Sequence, residues 1–289
     1  MLCAVFECYF YCMSLKVRCI IDLCRSARFN MAADLFLMEQ CSEASTVTLR
    51  FYTWKPAAIT LGRMQRATQQ LDVAALVRDG IEWIRRPTGG RAVLHCEDLT
   101  YSCVFPRRYT RLGTSVATTY ATITRCLAAG LGYAGVRTAA QDSASTLIKS
   151  GRAVKLPCFL APNRNEIMVN SRKLIGSAQY RSGLAVLQHG SLPLTPAYRR
   201  LPHYMPLTPQ ERLDQEALLK EKSVSLGEIC PAIAVEELIG LLARGFAEVT
   251  AMPCVESVWD ERETAAIEQT AQSGRFKELW LGDGDVPVP

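Results

Sequence analysis

Residues 85–95 read Arg85-Arg86-Pro87-Thr88-Gly89-Gly90-Arg91-Ala92-Val93-Leu94-His95. The glycine pair gives a flexible turn between two strand-like segments, because glycine adopts backbone conformations that other residues avoid. The stretch lacks the G-x-x-x-x-G-K-[ST] spacing of a P-loop, so it is not a nucleotide-binding loop of that kind. Taken alone it fits an ordinary hairpin turn, although its backbone N–H groups could also cradle an oxygen of a ligand.

On both sides of this stretch, strands and helices are mixed. Asn30 is expected to cap a helix over residues 31–38, and Gly130 to close a helix that begins at Thr114. Residues 166–180 are expected to form a β-hairpin that turns at Asn170-Ser171. The pattern predicts an α+β protein, a mixed β-sheet with flanking helices and a helical C-terminal tail. We expect an N-terminal extension at 1–16, a catalytic domain at 17–255 with its core at about 44–250, and the tail at 256–289.

Composition favours a soluble globular protein. The chain has 289 residues, of which 49% are hydrophobic and 21% are charged. No apolar run is long enough to span a bilayer. Residues 1–12 are apolar but lack a basic leading region and an obvious cleavage site, so they make a poor signal peptide, and Met13 is a candidate true start. We therefore predict a cytoplasmic protein that does not associate with a membrane.

The cysteines do not indicate a metal site. There are twelve, six of them among the first 41 residues. Cys3, Cys8, Cys12, Cys19 and Cys24 form no C-x-x-C pair, and no histidine pair follows at finger spacing, so no zinc or other metal is predicted. A chain of this size without a secretory signal is also a poor candidate for a disulfide framework. Most of these cysteines are expected to be reduced and to pack as small hydrophobic residues.

Positive charge is concentrated in one part of the chain. The net charge of +5 does not itself indicate nucleic acid, and no nucleic-acid partner is predicted. Residues 85–111 nevertheless contain six arginines against Glu97 and Asp98. Such a basic face can steer an acidic partner. A solvated surface without a partner explains the same charges equally well.

Cys158 and Lys173 are candidates for a reactive pair. A free thiol with a pKa of about 8.5 is only a few per cent thiolate at neutral pH, so a reactive cysteine needs a nearby cation. Lys173 lies fifteen residues after Cys158, on the second strand of the predicted hairpin, and Gly176 on that strand is typical of close approach by a ligand. Each residue alone also fits a structural role, a buried thiol and an edge-strand lysine. Among the histidines His95, His189 and His203 no Ser–His–acid order is evident, and His189 is a pocket candidate only.

Several motifs in order resemble one enzyme family. They include Asn30-Met31-Ala32, Arg86-Pro87-Thr88-Gly89-Gly90-Arg91, Cys158-Phe159-x-Ala161-Pro162, Arg172-Lys173-x-x-Gly176-Ser177-Ala178-Gln179 and Gln188-His189-Gly190-Ser191. Together they resemble the octanoyl-[acyl-carrier-protein]:protein N-octanoyltransferases of the lipoate-protein-ligase-like type, in the biotin/lipoate A/B protein ligase superfamily. The resemblance covers about residues 17–280 and implies the catalytic-domain fold of biotin and lipoate protein ligases.

The resemblance also implies roles for individual residues. Cys158 matches the nucleophile that carries the acyl group as a thioester, and Lys173 matches the lysine that lowers the pKa of that thiol. The substrate-binding residues that it implies are Arg86, Thr88, Gly89, Gly90, Arg91, Ala92, His95, Gly176, Ser177, Ala178, Gln179, His189 and Gly190. Octanoyl transfer would run from acyl carrier protein to a lysine of lipoyl domains, on the glycine cleavage H protein or dehydrogenase E2 subunits. Because one thioester exchanges for another, no ATP or other cofactor is expected.

Departures from the family pattern leave alternatives open. Cys96 and Leu35 stand where acidic residues are usual, and Asn163 and Asn165 replace the usual serine and aromatic residue. An ATP-dependent lipoate–protein ligase would share the glycine-pair and lysine segments but does not require Cys158. An amidotransferase that moves octanoyl between lipoyl domains would also use a cysteine thioester. A catalytically silent protein that binds acylated carrier domains is the third alternative.

Overall fold

The structure is a computed structural model that describes residues 16–44, 46–140, 166–273 and 276. Its strands are β1 (Val17–Arg25), β2 (Val47–Trp54), β3 (Ala58–Leu61), β4 (Glu82–Arg85), β5 (Val93–His95), β6 (Asp98–Pro106), β7 (Ala139–Ala140), β8 (Ile167–Val169), β9 (Arg172–Arg181), β10 (Ala185–Pro193) and β11 (Cys254–Ser257). Its α-helices are α1 (Ala27–Ala44), α2 (Ala67–Gln70), α3 (Val73–Asp79), α4 (Val116–Tyr133), α5 (Pro209–Lys222), α6 (Val235–Thr250) and α7 (Glu261–Gln272).

Two sheets organise the molecule. The large sheet has the order β11-β1-β2-β6-β10-β9-β8-β7, and the small sheet has the order β4-β3-β5. In the large sheet β1 pairs in parallel with β2 and β11, whereas β2, β6, β10 and β9 pair antiparallel. The predicted mixed sheet with flanking helices is therefore confirmed. The predicted division into an extension, a domain and a tail stays a prediction.

The main core lies between the large sheet and helices α4 and α6. Ile123 and Leu127 of α4 and Leu242 and Phe246 of α6 are almost fully buried there. A Cβ atom added at Gly245 would lie 2.3 Å from the backbone nitrogen of Gly130, so the two helices are in backbone contact. The glycine at position 130 is therefore explained by the close packing of α4 against α6 and not by the end of a helix. The prediction that Gly130 closes the helix is wrong, because α4 continues to Tyr133.

Helix α1 packs on the opposite face of the large sheet and begins earlier than predicted. The hydroxyl of Ser26 accepts a hydrogen bond from the Phe29 amide at 3.2 Å and so satisfies part of the first turn. Asn30 lies inside the helix, and its side-chain amide donates to the carbonyl of Thr53 at 3.2 Å. The prediction that Asn30 caps α1 is therefore wrong, because its side chain is held by the sheet.

The hairpin of β8 and β9 is confirmed. Met168 pairs with Lys173 and Val169 with Arg172, so the chain turns at Asn170 and Ser171. Both turn residues have positive φ, at 49° and 63°, as a tight two-residue hairpin requires. Within the described ranges, no helix has the length and apolar character needed to cross a bilayer.

Candidate active site

Lys173 and Glu166 form a buried ion pair. The Lys173 Nζ donates to Glu166 Oε1, and both side chains are only 4% exposed. Lys173 is the second residue of β9, and Glu166 lies immediately before β8, so the hairpin brings the two together. A lysine buried in this way is not the solvated edge-strand residue that its position alone allowed. The pair fixes the ammonium group in one place, which suits an electrostatic role.

Cys158 lies outside the described residues, which do not include 141–165. The approach of its thiol to Lys173 therefore stays a prediction.

A cavity that opens to solvent lies between the small sheet and the α1 face of the large sheet, with about 370 Å³ of empty space when the open part is counted. Its wall is formed by α1, both sheets and the segment after β4. The lining residues are Met31, Tyr52, Trp54, Thr60, Arg86, Val93, His95, Thr100, Gly176, Ser177, Ala178, His189, Gly190 and Ser191. The sheet register explains how two distant motifs meet here, since β9 and β10 pair Ala178 with His189 and Ser177 with Gly190.

The structure places seven of the predicted substrate-binding residues on the cavity wall: Arg86, His95, Gly176, Ser177, Ala178, His189 and Gly190. The other five positions of the glycine-pair segment and β9 do not line it: Gly89, Gly90, Arg91, Ala92 and Gln179. Thr88 does not line it either, but its hydroxyl lies 2.7 Å from His189 Nε2. Gln179 instead donates from its amide nitrogen to Gln188 Oε1 at 2.9 Å.

Other lining residues were not predicted from the sequence: Met31, Tyr52, Trp54, Thr60, Val93 and Thr100. Met31 belongs to the Asn30-Met31-Ala32 motif, so the order of motifs contained a signal for it. Thr60 and Val93 belong to the small sheet, and only the packing of that sheet over the large one brings them to the cavity.

The glycine-pair segment is not a hairpin turn, because β3 lies between β4 and β5 in the small sheet. The segment instead crosses the end of β3. A Cβ atom added at Gly62, just after β3, would lie 2.0 Å from the carbonyl oxygen of Gly90. Glycine is therefore needed at position 62 because the two backbones are in contact.

The guanidinium of Arg86 holds this crossing segment. It donates to the carbonyls of Gly89 and Arg91, each at 2.8 Å, and to the Thr88 hydroxyl at 3.1 Å. It also donates to the carbonyl of Thr60 at 3.0 Å. With 4% of its surface exposed, Arg86 is a buried organiser of the cavity wall and not a surface charge.

His189 connects the cavity to a buried charge cluster. Its Nδ1 lies 3.0 Å from Asp34 Oδ2, and its Nε2 faces the hydroxyl of Thr88. Burial lowers the pKa of His189 and outweighs the opposing effect of Asp34. A neutral imidazole that donates from Nδ1 to Asp34 accepts a hydrogen bond from the Thr88 hydroxyl.

Behind Asp34 lies Arg50, whose side chain is fully buried. Its guanidinium donates to Asp22 Oδ2 at 2.7 Å and to Asn30 Oδ1 at 2.6 Å. Burial alone would raise the pKa of Asp22, but the charge of Arg50 and hydrogen bonds from Arg25, Trp259 and Arg50 hold it below its usual value. The cluster fixes α1 against β1 and β2 beneath the cavity.

A second histidine–aspartate pair lies on the cavity wall. His95 Nδ1 is 2.8 Å from Asp98 Oδ2, and its Nε2 is 2.9 Å from the Thr60 hydroxyl. Thr100 and Ser191 donate to the same Asp98 oxygen at 3.0 and 2.6 Å. The two imidazoles of the cavity therefore both have protein partners on each ring nitrogen.

The described cysteines are free thiols, and many are inert. Burial raises the pKa of Cys19 and Cys126 to about 12 and that of Cys41 and Cys254 to about 11. Cys103 is also shifted well upward by burial. Such thiols stay protonated at neutral pH and are poor nucleophiles. The expectation that cysteines pack as small hydrophobic residues holds for these positions.

The six arginines of residues 85–111 do not form one face. Arg85 and Arg86 are buried and Arg91 is half-buried, whereas Arg107, Arg108 and Arg111 are exposed. The second group is therefore the more accessible to a partner from solution. The single basic face suggested by the sequence is therefore divided by the fold.

Comparison with known proteins identifies the family. The sequence model of the lipoyl protein ligase A/B catalytic domain family matches residues 26–247 of this chain. Octanoyltransferase LipM of Exiguobacterium sp. strain AT1b is 34% identical over 83% of this chain and 88% of its own length. Octanoyltransferase LipM of Kyrpidia tusciae is 36% identical over 83% and 90%, and that of Brevibacillus brevis is 30% identical over 91% and 97%.

Solved structures share the fold. A bipartite lipoate protein ligase from Thermoplasma acidophilum, studied with its E2 lipoyl domain, superposes with a TM-score of 0.75 at 18% identity, over 92% of this chain and 96% of that chain. A lipoate-protein ligase A bound with ATP gives a TM-score of 0.70 at 19% identity, over 92% and 98%. The chain therefore belongs to the lipoyl protein ligase A/B catalytic domain family, in its octanoyltransferase group, and is an acyltransferase.

Proposed function

We propose that this acyltransferase moves an octanoyl group from octanoyl-acyl carrier protein to a lysine of a lipoyl domain through a thioester on Cys158. The LipM relatives are named octanoyltransferases, and the archaeal ligase with a similar fold was studied with an E2 lipoyl domain. These observations support the acyl group and the class of acceptor.

The hydrogen bonding of the cavity wall carries the proposal. Every polar side chain that lines the cavity has a partner within the protein: Tyr52, Trp54, Thr60, Arg86, His95, Thr100, Ser177, His189 and Ser191. An apolar chain can therefore displace water from the cavity without leaving a buried donor or acceptor unsatisfied. Burial of an octanoyl chain at ~0.8 kcal/mol per CH₂ contributes roughly 5 kcal/mol to binding.

The reaction has two steps. The thiolate of Cys158 adds to the carbonyl carbon of the donor thioester, and the carrier's thiol leaves with a proton from solvent. A neutral lysine amine of the lipoyl domain then adds to the enzyme thioester, loses a proton, and releases the Cys158 thiolate as the amide forms. Each step exchanges one acyl bond for another, so no ATP is required.

Lys173 is proposed to assist the first step. Its ammonium is fixed by Glu166, and a fixed cation near a thiol stabilises the thiolate. Backbone N–H groups near the cavity would stabilise the oxyanion of the tetrahedral intermediate.

The test is the mass of the intact protein after mixing with octanoyl-acyl carrier protein in the absence of ATP. We expect an octanoyl mass gain that hydroxylamine removes and that Cys158→Ala lacks. Cys24→Ala, at an exposed thiol, is the matched control and should load normally. Loading of Cys158→Ala would overturn the assigned nucleophile. Lipoyl-domain modification that needs ATP and free octanoate would instead identify a ligase.

A further inference from the structure

Three arginines flank the end of the β9–β10 hairpin, with Arg63 on its α1 face and the guanidinium of Arg181 on its α4 face. Arg181 is the last residue of β9, and the amide of Arg107 donates to the carbonyl of Leu184 in the hairpin tip at 2.7 Å. The guanidinium of Arg63 lies 5.2 Å from the ring centroid of Tyr180. Because these arginines come from three separate segments, only the fold brings them together. We call Arg63, Arg107 and Arg181 the basic rim.

The basic rim has no carboxylate partner within the described part of the chain. The guanidinium of Arg181 donates to neutral oxygens of Thr119, Gln179 and Thr114, at 3.2 to 3.3 Å. Partial burial lowers the pKa of Arg181, and the positive charge of Arg107 lowers it further. The rim therefore presents uncompensated positive charge to solvent.

Exposed apolar side chains accompany these charges. Met64, next to Arg63, is 90% exposed, and Leu184 in the hairpin tip is 68% exposed. Arginine and methionine are enriched in protein–protein interfaces. A small phosphate ligand is instead held by convergent donors. Cations from three segments with apolar side chains between them therefore fit an acidic protein surface better than a free phosphate group.

The position of the basic rim relative to the cavity distinguishes a donor from an acceptor. Ala178 lines the cavity, and Arg181 lies three residues further along β9, about 10 Å away at the rise of a β-strand. An acceptor must bring a lysine, with its short side chain, up to the reacting carbonyl. A donor presents its thioester on the much longer phosphopantetheine arm, so its protein surface can rest farther away.

We propose that the basic rim docks the acidic carrier protein that donates the octanoyl thioester. This inference rests on the proposed function, because it assigns a surface to the donor of that reaction. The positive charges of the rim steer the carrier protein toward the cavity. Met64 and Leu184 then contact the carrier protein in the docked complex.

The test compares Arg63→Glu/Arg107→Glu with Lys220→Glu/Lys222→Glu, which makes the same change in charge at exposed positions of α5. Octanoyl-enzyme formation is measured with octanoyl-acyl carrier protein and, separately, with octanoyl-coenzyme A. We expect the rim variant to lose at least about tenfold in kcat/KM with the carrier protein at low ionic strength. The loss should shrink in high salt, which screens charges beyond ~3 Å at 1 M. In the rim variant, loading from the coenzyme A thioester and transfer from preloaded enzyme to a lipoyl domain should match the wild type. The α5 variant should match the wild type in all of these assays.

Several results would overturn this assignment. Unchanged carrier kinetics in the rim variant refutes docking, and an equal loss with coenzyme A shows a phosphate site instead. A loss confined to transfer from preloaded enzyme assigns the rim to the acceptor. If the double variant does not fold, Arg107→Ala gives the same comparison. A wild-type enzyme that accepts octanoyl from neither donor overturns the proposed function itself, whereas normal wild-type loading with an unaffected rim variant overturns only the docking.

Discussion

Replacement of Arg50 by methionine should destabilise the protein strongly. The guanidinium is fully buried, donates to Asp22 and Asn30, and lies 3.5 Å from Asp34. Methionine keeps much of the packing but leaves two buried carboxylates without their shared cation. Breaking such a pair costs about 3–5 kcal/mol, a large part of a typical stability of ~5–15 kcal/mol. Urea denaturation at pH 7 should therefore show a lower midpoint, and the melting temperature should fall by roughly 10 °C.

The matched control is Arg18→Met on β1. Its partner is Glu263, and the two side chains are 23% and 21% exposed, so solvent screens the pair. A partly exposed pair of this kind contributes about 1 kcal/mol or less. The comparison therefore separates the loss of a buried cation from the loss of an arginine side chain.

The cost of Arg50→Met should also depend on pH. In the wild type the pKa of Asp22 is lowered, so its contribution is present above the unfolded pKa near 3.8 and is lost as pH falls through the folded value. In the variant Asp22 loses the charge of Arg50, which lowers its pKa in the wild type, so it takes up a proton more readily, and a protonated carboxyl needs no cation. The difference in unfolding free energy between wild type and variant should therefore be largest near neutral pH and narrow toward pH 4. A difference no greater than that of Arg18→Met, or one that does not change with pH, would refute this reasoning.

Other predictions concern the cavity. Lys173→Ala should raise the pH at which Cys158 reacts with iodoacetamide, and an unchanged pH–rate profile would remove the lysine from its role. Burial lowers the pKa of His189, so the unfolded state binds more protons below about pH 6.5 and the protein loses stability as pH falls below that value. His189→Gln should flatten this dependence in denaturation curves from pH 7 to 5, and a slope equal to the wild type's would contradict the assignment. In Gly190→Ala the new Cβ would lie 2.6 Å from the Tyr101 ring, so unfolding free energy should fall by about 1–3 kcal/mol and octanoyl loading should weaken. Full octanoyl loading with unchanged stability would contradict this prediction and would show that the cavity wall rearranges to accommodate the added Cβ.

Local sequence patterns predicted the positions of helices and strands better than they predicted the structural roles of single residues. The β8–β9 hairpin follows from the turn preference of Asn170-Ser171 between two strand-like runs. Gly130 and Asn30 were misread because their roles arise from distant partners, a second helix and a sheet carbonyl. No local rule distinguishes a glycine that ends a helix from a glycine that allows a second helix to pack closely against the first.

The candidate site shows the same limit. The motifs predicted that Gly176, Ala178 and His189 share a cavity, and strand pairing places them there. The ion pair of Lys173 with Glu166 depends on the register of the hairpin and could not be read from residue types. The small sheet, which supplies Thr60 and His95, was not predicted as a separate layer because its strands are short and its order β4-β3-β5 is not sequential.

Strand β1 joins early and late parts of the chain, and this has a consequence for synthesis. Val17 to Ile20 pair in parallel with Cys254 to Ser257. During translation one edge of β1 therefore stays open until nearly all of the chain has left the ribosome. Loop closure over so many residues is slow, and an open strand edge can pair with other chains. Nascent chains should therefore depend on chaperones until β11 arrives, and variants truncated before residue 254 should aggregate during expression even though they retain every cavity-lining residue.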